Sequence, residues 1–473
     1  MQALHIPSIK MPSIKMPSMP TIEVSFLKSQ EFWKYAVYAI LVILMLTYAG
    51  LAFSYYQKNS MYTEDPKNVA TLISIRRQDL SSAIDRLPPV ETSVIASSSG
   101  TAPWSLIPKN KIPLVNWRPL TVRLCGYLGG ANGIKNGVFD MNYGITKALK
   151  LGARGFFFDI DYLEAAPCAP VLLYRDEQGY KRSLMSGSVK DGMTAIANNA
   201  FLNNQDPVLI FVYLRRVPKG PKQQNTFFTN LAKALQPLDS YFLKKINGNS
   251  AFGLQSELTL FTTRITSFSN NCIVMINYNT TTLTGTSQDN LNYWNNARIY
   301  QHTTGTGSSI GKITPAATSP SAYVQVADAK EILLMTADQQ AAFAEKNRSV
   351  FTIAIREPEY QYKSSDLEIL LNKLGVQSVP IDVLSNAASP DHIAALEESR
   401  KNTIAKSPLK VSDLSIDLST SKKDPLAYWY FAGYSIKDVS ATSTIPFYTI
   451  PTPATPQAPS PSTNSNGGLV SIG

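Results

Sequence analysis

The apolar residues of this chain follow two patterns, and the first is one long uninterrupted run near the amino terminus. Across Tyr35–Tyr56 no residue is charged, and a helix over that range is about 33 Å long, which matches the hydrocarbon core of a bilayer. Trp33 and Lys34 precede the run, two tyrosines end it, and Lys58 follows it, as expected for the flanks of a membrane span. The run predicts a single transmembrane helix at residues 34–57. A buried core helix lacks such flanks, and the long segment before the run argues against a cleaved signal peptide.

The second pattern extends over residues 106–440, where short apolar runs alternate with stretches of helical periodicity. Strands are predicted at Leu120–Cys125, Gly155–Tyr162, Val171–Tyr174, Val208–Leu214, Cys272–Tyr278, Ala297–Gln301, Val350–Ile355 and Val379–Val383. Helices are predicted at Gly144–Leu151, Asp191–Leu202, Thr226–Ile246, Ala337–Lys346, Ser365–Leu374 and Pro390–Arg400. Near-continuous apolar strands separated by helices indicate a parallel sheet covered on both faces. This favours an α/β fold of the TIM (β/α)8-barrel type. A doubly wound open sheet is the alternative, although no GxGxxG motif follows the first strand.

The segments outside these two patterns are polar or rich in proline. Residues 1–33 carry a proline-punctuated repeat with lysines, 58–105 read as a polar stalk with one short helix near Asn68–Arg77, and 441–473 form a Pro/Ser/Thr-rich tail. Such compositions bury too little apolar surface to fold, so both termini are predicted to be disordered. The amino-terminal repeat is either a flexible tail or an extended docking peptide. Together with the carboxyl-terminal tail, it is the predicted contact point for protein partners.

Composition and charge exclude several classes of protein. Lys and Arg number 44 against 34 Asp and Glu, a net charge of +10, yet no long basic run marks a nucleic-acid groove, so no nucleic-acid partner is expected. Cys125, Cys168 and Cys272 form no CxxC pair, which excludes a disulfide scaffold and argues against structural zinc. Whether any of the three cysteines pair is left open.

Two acidic residues end the second predicted strand, and they are candidates for metal binding. Asp159 and Asp161 are two residues apart, so on a strand both side chains point to the same face. Function in an α/β barrel is located at the carboxyl ends of the strands, and paired carboxylates suit a hard divalent cation such as Ca²⁺. The alternative is that one aspartate pairs with a neighbouring Arg or Lys while the other is solvated, and the residues by themselves favour this alternative.

Residues 144–216 taken together resemble the X-domain of the phosphatidylinositol-specific phospholipase C family, the PLC-like phosphodiesterases. The motifs that carry the resemblance are Leu151-Gly152-Ala153-Arg154, Asp159-Ile160-Asp161, Pro170-Val171, Ala200-Phe201 and Asp206-Pro207-Val208. The narrower similarity is to the divergent PLC-like proteins of large DNA viruses. The resemblance implies a TIM barrel, a phosphodiester substrate, a vestigial Ca²⁺ site at Asp159 and Asp161, and phosphate contacts from Arg154 and Arg175.

The chain departs from the family pattern where that family places its catalytic histidines. Imidazole suits a general acid or base because its pKa lies near neutral pH. The segment 124–132 after the first strand contains no histidine, and Arg175 stands nearest to the expected second one. Of the three histidines, His5 precedes the membrane span and His392 opens a predicted helix, which leaves His302 as the only catalytic candidate. Tyr127 or Tyr174 would be a poor replacement acid, since a phenol's pKa is near 10. The predicted site is therefore degenerate.

These observations support three functional hypotheses. The first is a membrane-anchored, catalytically inactive PLC-like barrel that acts as a binding or structural module, associated with a virion membrane or capsid if the viral similarity holds. The second is an active phosphodiesterase that acts on phosphoinositide-type lipid headgroups. The third is a receptor-like ectodomain glycosylated at Asn279 or Asn347. Basic residues nearly balance across the span, so the single-pass orientation is left undetermined.

Overall fold

The structure of the chain is a computed structural model. The structure describes residues 30–60, 65–85, 95, 112–130, 136–176, 179–283, 287–301, 323–357, 362 and 364–384. His5, His302, His392, the tail at 441–473, the predicted helix Pro390–Arg400 and nearly all of 1–33 lie outside these residues. The chain divides into two compact units, Met1–Thr63 and Glu64–Gly473.

The first unit contains one long apolar helix, α1, at Gln30–Ser60. Its segment Trp33–Phe53 has a mean hydropathy of 2.3, and none of that segment is buried within the protein. The core helix of a soluble protein is mostly covered by its own chain, unlike this segment. Length and composition suit a membrane span, and a signal sequence near the amino terminus would have the same properties.

The second unit is built on a mixed nine-stranded sheet. Its strands are β1 Thr121–Arg123, β2 Gly155–Leu163, β3 Ala166–Leu172, β4 Gly187–Ser188, β5 Val208–Leu214, β8 Cys272–Ile276, β9 Ala297–Gln301, β10 Val324–Asp328 and β11 Phe351–Ile355. Six pairings are parallel and give the order β1-β2-β5-β8-β9-β10-β11. Strands β3 and β4 are antiparallel additions to β2. A separate hairpin pairs β6 Lys245–Ile246 with β7 Asn249–Ser250.

The parallel strands form a half-barrel with an apolar core on one face. Alternate residues of β5, β8, β9, β10 and β11 enter this core, among them Phe211 on β5, Met275 on β8 and Ile353 on β11, and β2 contributes Phe157. Trp117 joins the same core and is 1% exposed. The carboxyl ends of all seven parallel strands lie at one edge of the sheet, which we call the carboxyl edge, and functional side chains of α/β proteins are found at such edges.

One short segment contacts both outer strands of the parallel sheet. Ser378 accepts a hydrogen bond from the Ala354 amide of β11 at 2.9 Å and donates its own amide to Thr352 at 3.1 Å. Ile381 accepts from the Arg123 amide of β1 at 2.8 Å. These contacts are single parallel bridges and not a strand. The segment predicted as a strand, Val379–Val383, is therefore not a strand in the structure. The backbone of 378–381 connects β11 and β1, the two outer strands of the parallel sheet, through these bridges.

Several predicted elements differ in extent from those in the structure. The helices of this unit are α2 Pro66–Ile84, α3 Met141–Lys150, α4 Val189–Asn199, α5 Pro221–Leu235, α6 Glu257–Leu260, α7 Ala329–Leu333, α8 Ala337–Lys346 and α9 Ser364–Leu367. The helix predicted over Thr226–Ile246 ends at Leu235, because the proline that follows Gln236 cannot donate to the preceding turn. The second half of the helix predicted over Ser365–Leu374 is a π-helix at Glu368–Lys373.

The predicted stalk contains a helix that belongs to the folded unit. Leu80 and Ile84 of α2 are 0% and 1% exposed. Arg77 pairs with Asp140 at the start of α3 at 2.5 Å, and Asp85 pairs with Lys150 at 3.1 Å near the end of α3. The helix is longer than the predicted Asn68–Arg77 and packs along α3, so this part of the predicted polar stalk is docked on the folded unit.

The two predicted glycosylation sites, Asn279 and Asn347, lie in different environments. Asn347 is 0% exposed, its amide donates to the Leu374 carbonyl at 2.7 Å, and its carbonyl accepts from Thr352 at 2.5 Å. A glycan at Asn347 is incompatible with this packing. Asn279 is half-buried and accepts from Thr281 at 2.7 Å.

The three cysteines are free, with Cys125 and Cys272 buried and Cys168 half-buried.

Candidate functional site

Alternation along three strands brings charged side chains to the carboxyl edge. On β2 the core residue Phe157 is followed on the same face by Asp159 and Asp161. On β5 the core residue Tyr213 is likewise followed by Arg215, one residue beyond the strand. The same edge receives Arg123, the last residue of β1, which pairs in register with Phe157.

The inner part of the site is a carboxylate held between two guanidinium groups. Arg123 donates to Asp159 through Nε at 2.8 Å and through Nη2 at 3.0 Å, and these side chains are 2% and 6% exposed. Arg215 donates to the same carboxylate at 2.6 Å. Burial alone would raise the pKa of Asp159, but the charges of Arg123 and Arg215 outweigh it and lower the pKa to about 2. This aspartate is therefore ionised at any physiological pH.

The outer part of the site repeats this arrangement nearer to solvent. Asp161 accepts from Arg175 at 2.8 Å and from Arg216 at 2.6 Å, and the two arginine side chains are 30% and 34% exposed. Arg216 also donates to Glu164 at 2.6 Å and lies 4.5 Å over the ring of Tyr162. Burial would lower the pKa of Arg216, yet its bonds to Glu164 and Asp161 raise it above the ordinary arginine value. We refer to the four arginines 123, 175, 215 and 216 with Asp159 and Asp161 as the arginine cluster.

The donor set of the arginine cluster does not fit a calcium ion. Ca²⁺ requires six to eight oxygen ligands, whereas the oxygens of Asp159 and Asp161 already accept from four guanidinium groups. Among the described residues no group of three His, Cys, Asp or Glu side chains could hold a metal ion. The Ca²⁺ assignment stays a prediction from resemblance, and the local charge favours an anion over a cation.

The remaining sequence candidates are placed in different parts of the molecule. Arg175 belongs to the arginine cluster. Arg154 precedes the first residue of β2, at the opposite edge of the sheet, and donates to the Ala200 carbonyl at 2.6 Å. The structure therefore does not bring Arg154 together with the aspartates. His302 follows Gln301, the last residue of β9, and lies outside the described residues.

The segment after β1, where the sequence resemblance implies a first histidine, carries the buried Tyr127. Leu124 adopts a φ of 51° and Gly126 a φ of 78°, so the chain turns sharply directly after Arg123. Tyr127 is 2% exposed and its ring lies 5.1 Å from that of Tyr174, which is 8% exposed. The Tyr127 hydroxyl donates to the Arg182 carbonyl at 3.4 Å. These contacts describe a packed aromatic pair that stabilises the loop.

Sequence reasoning missed three of the four arginines in the cluster. Arg123 lies within an apolar strand and Arg215 and Arg216 directly follow one, so each could have been noticed as a charge at the end of a buried run. That all three contact Asp159 or Asp161 could not have been predicted, because these arginines come from strands that are distant from the aspartates in the sequence. The alternation of side chains along each strand is the one sequence feature that could have found them. It places Arg123 and Arg215 on the same face of the sheet as Asp159.

No protein-family model and no curated protein matches this chain. Solved structures similar to it include PLC21 of L. pealei and PLC21 of S. officinalis, each with a TM-score of 0.42, at 13% and 12% identity. Each match covers 58% of this chain and 34% of the other, so this chain spans about a third of their length. A calcium-dependent phosphoinositol-specific phospholipase C from a Gram-negative bacterium, Pseudomonas sp, matches with a TM-score of 0.36 and 10% identity over 62% of this chain and 98% of that one. At these TM-scores the similarity decides neither family nor activity.

Proposed function

We propose that this chain is a PLC-like barrel, held at a membrane by α1, that binds a phosphate-bearing group at the carboxyl edge without hydrolysing it. The parallel order of seven strands supports the barrel, as do the bridges from Ser378 and Ile381 to the two outer strands. A (β/α)8 barrel needs eight parallel members, and the bridged segment would supply the eighth. The apolar helix with aromatic and basic flanks supports the anchor.

The pairing of both aspartates with arginines is the observation that carries the inactive assignment. A general base must be able to take a proton near neutral pH, and Asp159, with its pKa lowered to about 2, cannot. An arginine cannot serve either, since it stays protonated. His302, which follows Gln301 at the end of β9, lies outside the described residues. The cluster is therefore suited to binding and poorly suited to proton transfer.

The partly exposed arginines identify the surface for the phosphate group. Arg175 and Arg216 keep about a third of their side chains in contact with solvent, and planar guanidinium groups recognise phosphate oxygens through paired hydrogen bonds. Binding would replace part of their hydrogen bonding to Asp161 with hydrogen bonding to the ligand.

We extend the proposal to a structural role at a virion membrane, with protein partners bound at the two terminal segments. This extension rests on the sequence resemblance. Recovery of the chain in the membrane fraction of purified particles tests it.

The test of the proposed function uses the full chain. Reconstituted into phosphatidylinositol vesicles, it is expected to release no inositol phosphate and no diacylglycerol above protein-free vesicles. In detergent it is expected to bind inositol 1-phosphate in calorimetry, with at least tenfold loss in an Arg175→Ala/Arg216→Ala variant, since each charged hydrogen bond contributes about 1.5–3 kcal/mol. Arg264→Ala, a change of an exposed arginine before β8, is the matched control. Turnover that His302→Ala abolishes would instead establish an active phosphodiesterase.

A further inference from the structure

Arg216 is held by partners of two kinds, one set covered by the protein and one open to solvent. Its Nε donates to the buried Asp161 at 2.6 Å, and its Nη2 donates to the Tyr162 carbonyl at 2.9 Å. The guanidinium group also lies over the Tyr162 ring, 4.5 Å from the centroid. On the other side, Nη1 donates at 2.6 Å to Glu164, whose side chain is 70% exposed. Glu164 is therefore the solvent-facing partner of a guanidinium group that the fold holds in place.

Glu164 lies in the field of both arginines to which the proposed function assigns the phosphate. It is in the turn between β2 and β3, where Leu163 pairs with Ala166. Its second carboxylate oxygen lies 3.5 Å from Nη2 of Arg216. The hydrogen bond from Arg216 lowers the pKa of Glu164, and the charges of Arg216 and Arg175 lower it further. The carboxylate is consequently ionised at neutral pH and attracted by the same two groups as a ligand would be.

The other two partly exposed arginines keep donors that no described residue uses. The guanidinium group of Arg215 makes one hydrogen bond within the described part of the chain, from Nε to Asp159. Arg175 donates through Nε to Asp161 and through Nη1 to a backbone carbonyl at 3.1 Å, and its Nη2 donates to no described residue. An anion thus meets open donors on Arg175 and Arg215, whereas at Arg216 it meets a donor that already holds a carboxylate.

Glu164 is the partner of Arg216 that an anion can replace with the least disturbance. Its side chain can rotate into solvent without movement of the turn, and ion pairs between exposed side chains contribute little to stability. Asp161 is 3% exposed, and separating it from Arg216 leaves a buried charge with less compensation. An anion that reaches Arg216 from solvent therefore replaces Glu164 before it competes with Asp161.

The charges of the site indicate which anion makes this exchange. The arginine cluster has four guanidinium groups and two aspartates, a net charge of +2, and Glu164 reduces this to +1. A phosphodiester carries one negative charge, so in place of Glu164 it restores the same balance. A phosphomonoester carries about two negative charges above its second pKa, which is about 6, and neutralises the cluster. The exchange therefore favours the monoester.

We propose that Glu164 occupies, in the unliganded protein, the place at Arg216 that a phosphomonoester dianion takes on binding. This inference rests on the proposed function and deepens it, since it names the class of phosphate and a residue that limits its affinity. Glu164 is an internal competitor, and binding of the ligand includes the release of Glu164 from Arg216 into solvent.

The test measures the binding of inositol 1-phosphate to the full chain in detergent by calorimetry, at about pH 7.5, where this monoester is a dianion. Glu164→Gln is expected to bind it about two- to fivefold more tightly than the unchanged protein, the range that an exposed ion pair supplies. Glu345→Gln is the matched control, because Glu345 is 67% exposed and accepts from Arg348 at 2.6 Å. It should leave the affinity unchanged. Equal affinities of Glu164→Gln and the unchanged protein overturn the inference.

A second background separates displacement of Glu164 from simple charge attraction. Removal of a negative charge strengthens anion binding from a distance as well, and this effect persists when Arg216 is absent. Displacement, in contrast, requires Arg216. In an Arg216→Ala background the gain from Glu164→Gln is therefore expected to be smaller. An equal gain with and without Arg216 overturns the inference.

The class of ligand is tested with glycerophosphoinositol, a phosphodiester. The unchanged protein is expected to bind inositol 1-phosphate about tenfold more tightly, the effect of one further charged hydrogen bond. Equal or tighter binding of the diester overturns the assignment to monoesters. If neither the unchanged protein nor Glu164→Gln binds either compound, the proposed function itself falls. If Arg175→Ala/Arg216→Ala loses affinity but Glu164→Gln gains none, the proposed function stands and only this inference falls.

Discussion

At the scale of single residues, the ion pair between Arg123 and Asp159 is the most demanding feature of the fold. Both side chains are nearly fully buried, 2% and 6% exposed, and neutralising Asp159 leaves the Arg123 charge without this carboxylate. Breaking a buried ion pair in this way costs about 3–5 kcal/mol. We expect Asp159→Asn to lower the free energy of unfolding by about 3 kcal/mol or more, measured by urea denaturation. Glu164→Gln, at a side chain 70% exposed, should change stability little, and equal effects of the two variants would contradict the assignment.

The same aspartate gives the protein an acid-labile component of stability. The pKa of Asp159 is about 2 in the folded protein against an ordinary value of 3.8. Because the pKa is lowered on folding, the stabilisation is complete above pH 3.8 and disappears as the pH falls toward 2. It amounts to about 2 kcal/mol. Arg215→Gln removes one of the two charges that lower the pKa, so in this variant the free energy of unfolding should fall by less between pH 3.8 and pH 2, and the fall should end at a higher pH. An unchanged pH profile would show that Arg215 does not act on Asp159.

At the scale of elements, the sequence predicts strands well where apolar runs are continuous. Strand β5 has the predicted bounds, Val208–Leu214, since it is buried on both faces and apolar throughout. Strand β9 also has its predicted bounds, Ala297–Gln301, although it is buried on one face only. Strand β10 was missed. Its Gln325 is 1% exposed and donates to the Thr352 hydroxyl at 2.8 Å, so a buried polar side chain interrupts the apolar run.

The candidate site was predictable only in its local part. Period-two alternation correctly puts Asp159 and Asp161 on one face of β2. Their guanidinium partners come from β1, from the loop after β5 and from the segment after β3, and spacing along the sequence contains no information on such long-range neighbours. The residues alone favour the alternative in which one aspartate pairs with a neighbouring Arg or Lys and the other is solvated. In the structure both aspartates are paired with arginines.

Helix α2 shows how an element that looks like a linker can be part of a folded unit. Its apolar residues are few, but Leu72, Leu80 and Ile84 are 2%, 0% and 1% exposed. Truncation of a buried leucine to alanine costs about 2–5 kcal/mol. We expect Leu80→Ala to lower the unfolding temperature and to make residues 66–84 sensitive to protease, whereas Ser74→Ala, at an exposed position of the same helix, leaves both unchanged. Protease resistance of α2 in Leu80→Ala would contradict the docking of this helix.

At the scale of the whole molecule, Gln377 links the core to the segment that joins the outer strands. Its amide donates to the Val115, Asn347 and Val350 carbonyls at 3.0–3.1 Å, and its carbonyl accepts from the Thr352 amide of β11 at 2.8 Å. Gln377 is fully buried, so replacing it with an apolar side chain would leave several backbone groups without partners. The adjacent bridges at Ser378 and Ile381 depend on the position of this backbone.

If these bridges close the sheet into a barrel, damage at Gln377 must reach both outer strands. Gln377→Leu is expected to speed amide hydrogen exchange in β11, which Gln377 contacts directly. It should also speed exchange in β1, which the same segment contacts through Ser378 and Ile381. Exchange in the central strand β8 should change least, because its neighbours are intact. Gln223→Leu, at an exposed position of α5, is the matched control. Faster exchange in β11 with β1 unchanged would mean that the two outer strands open independently and that the parallel sheet is not closed.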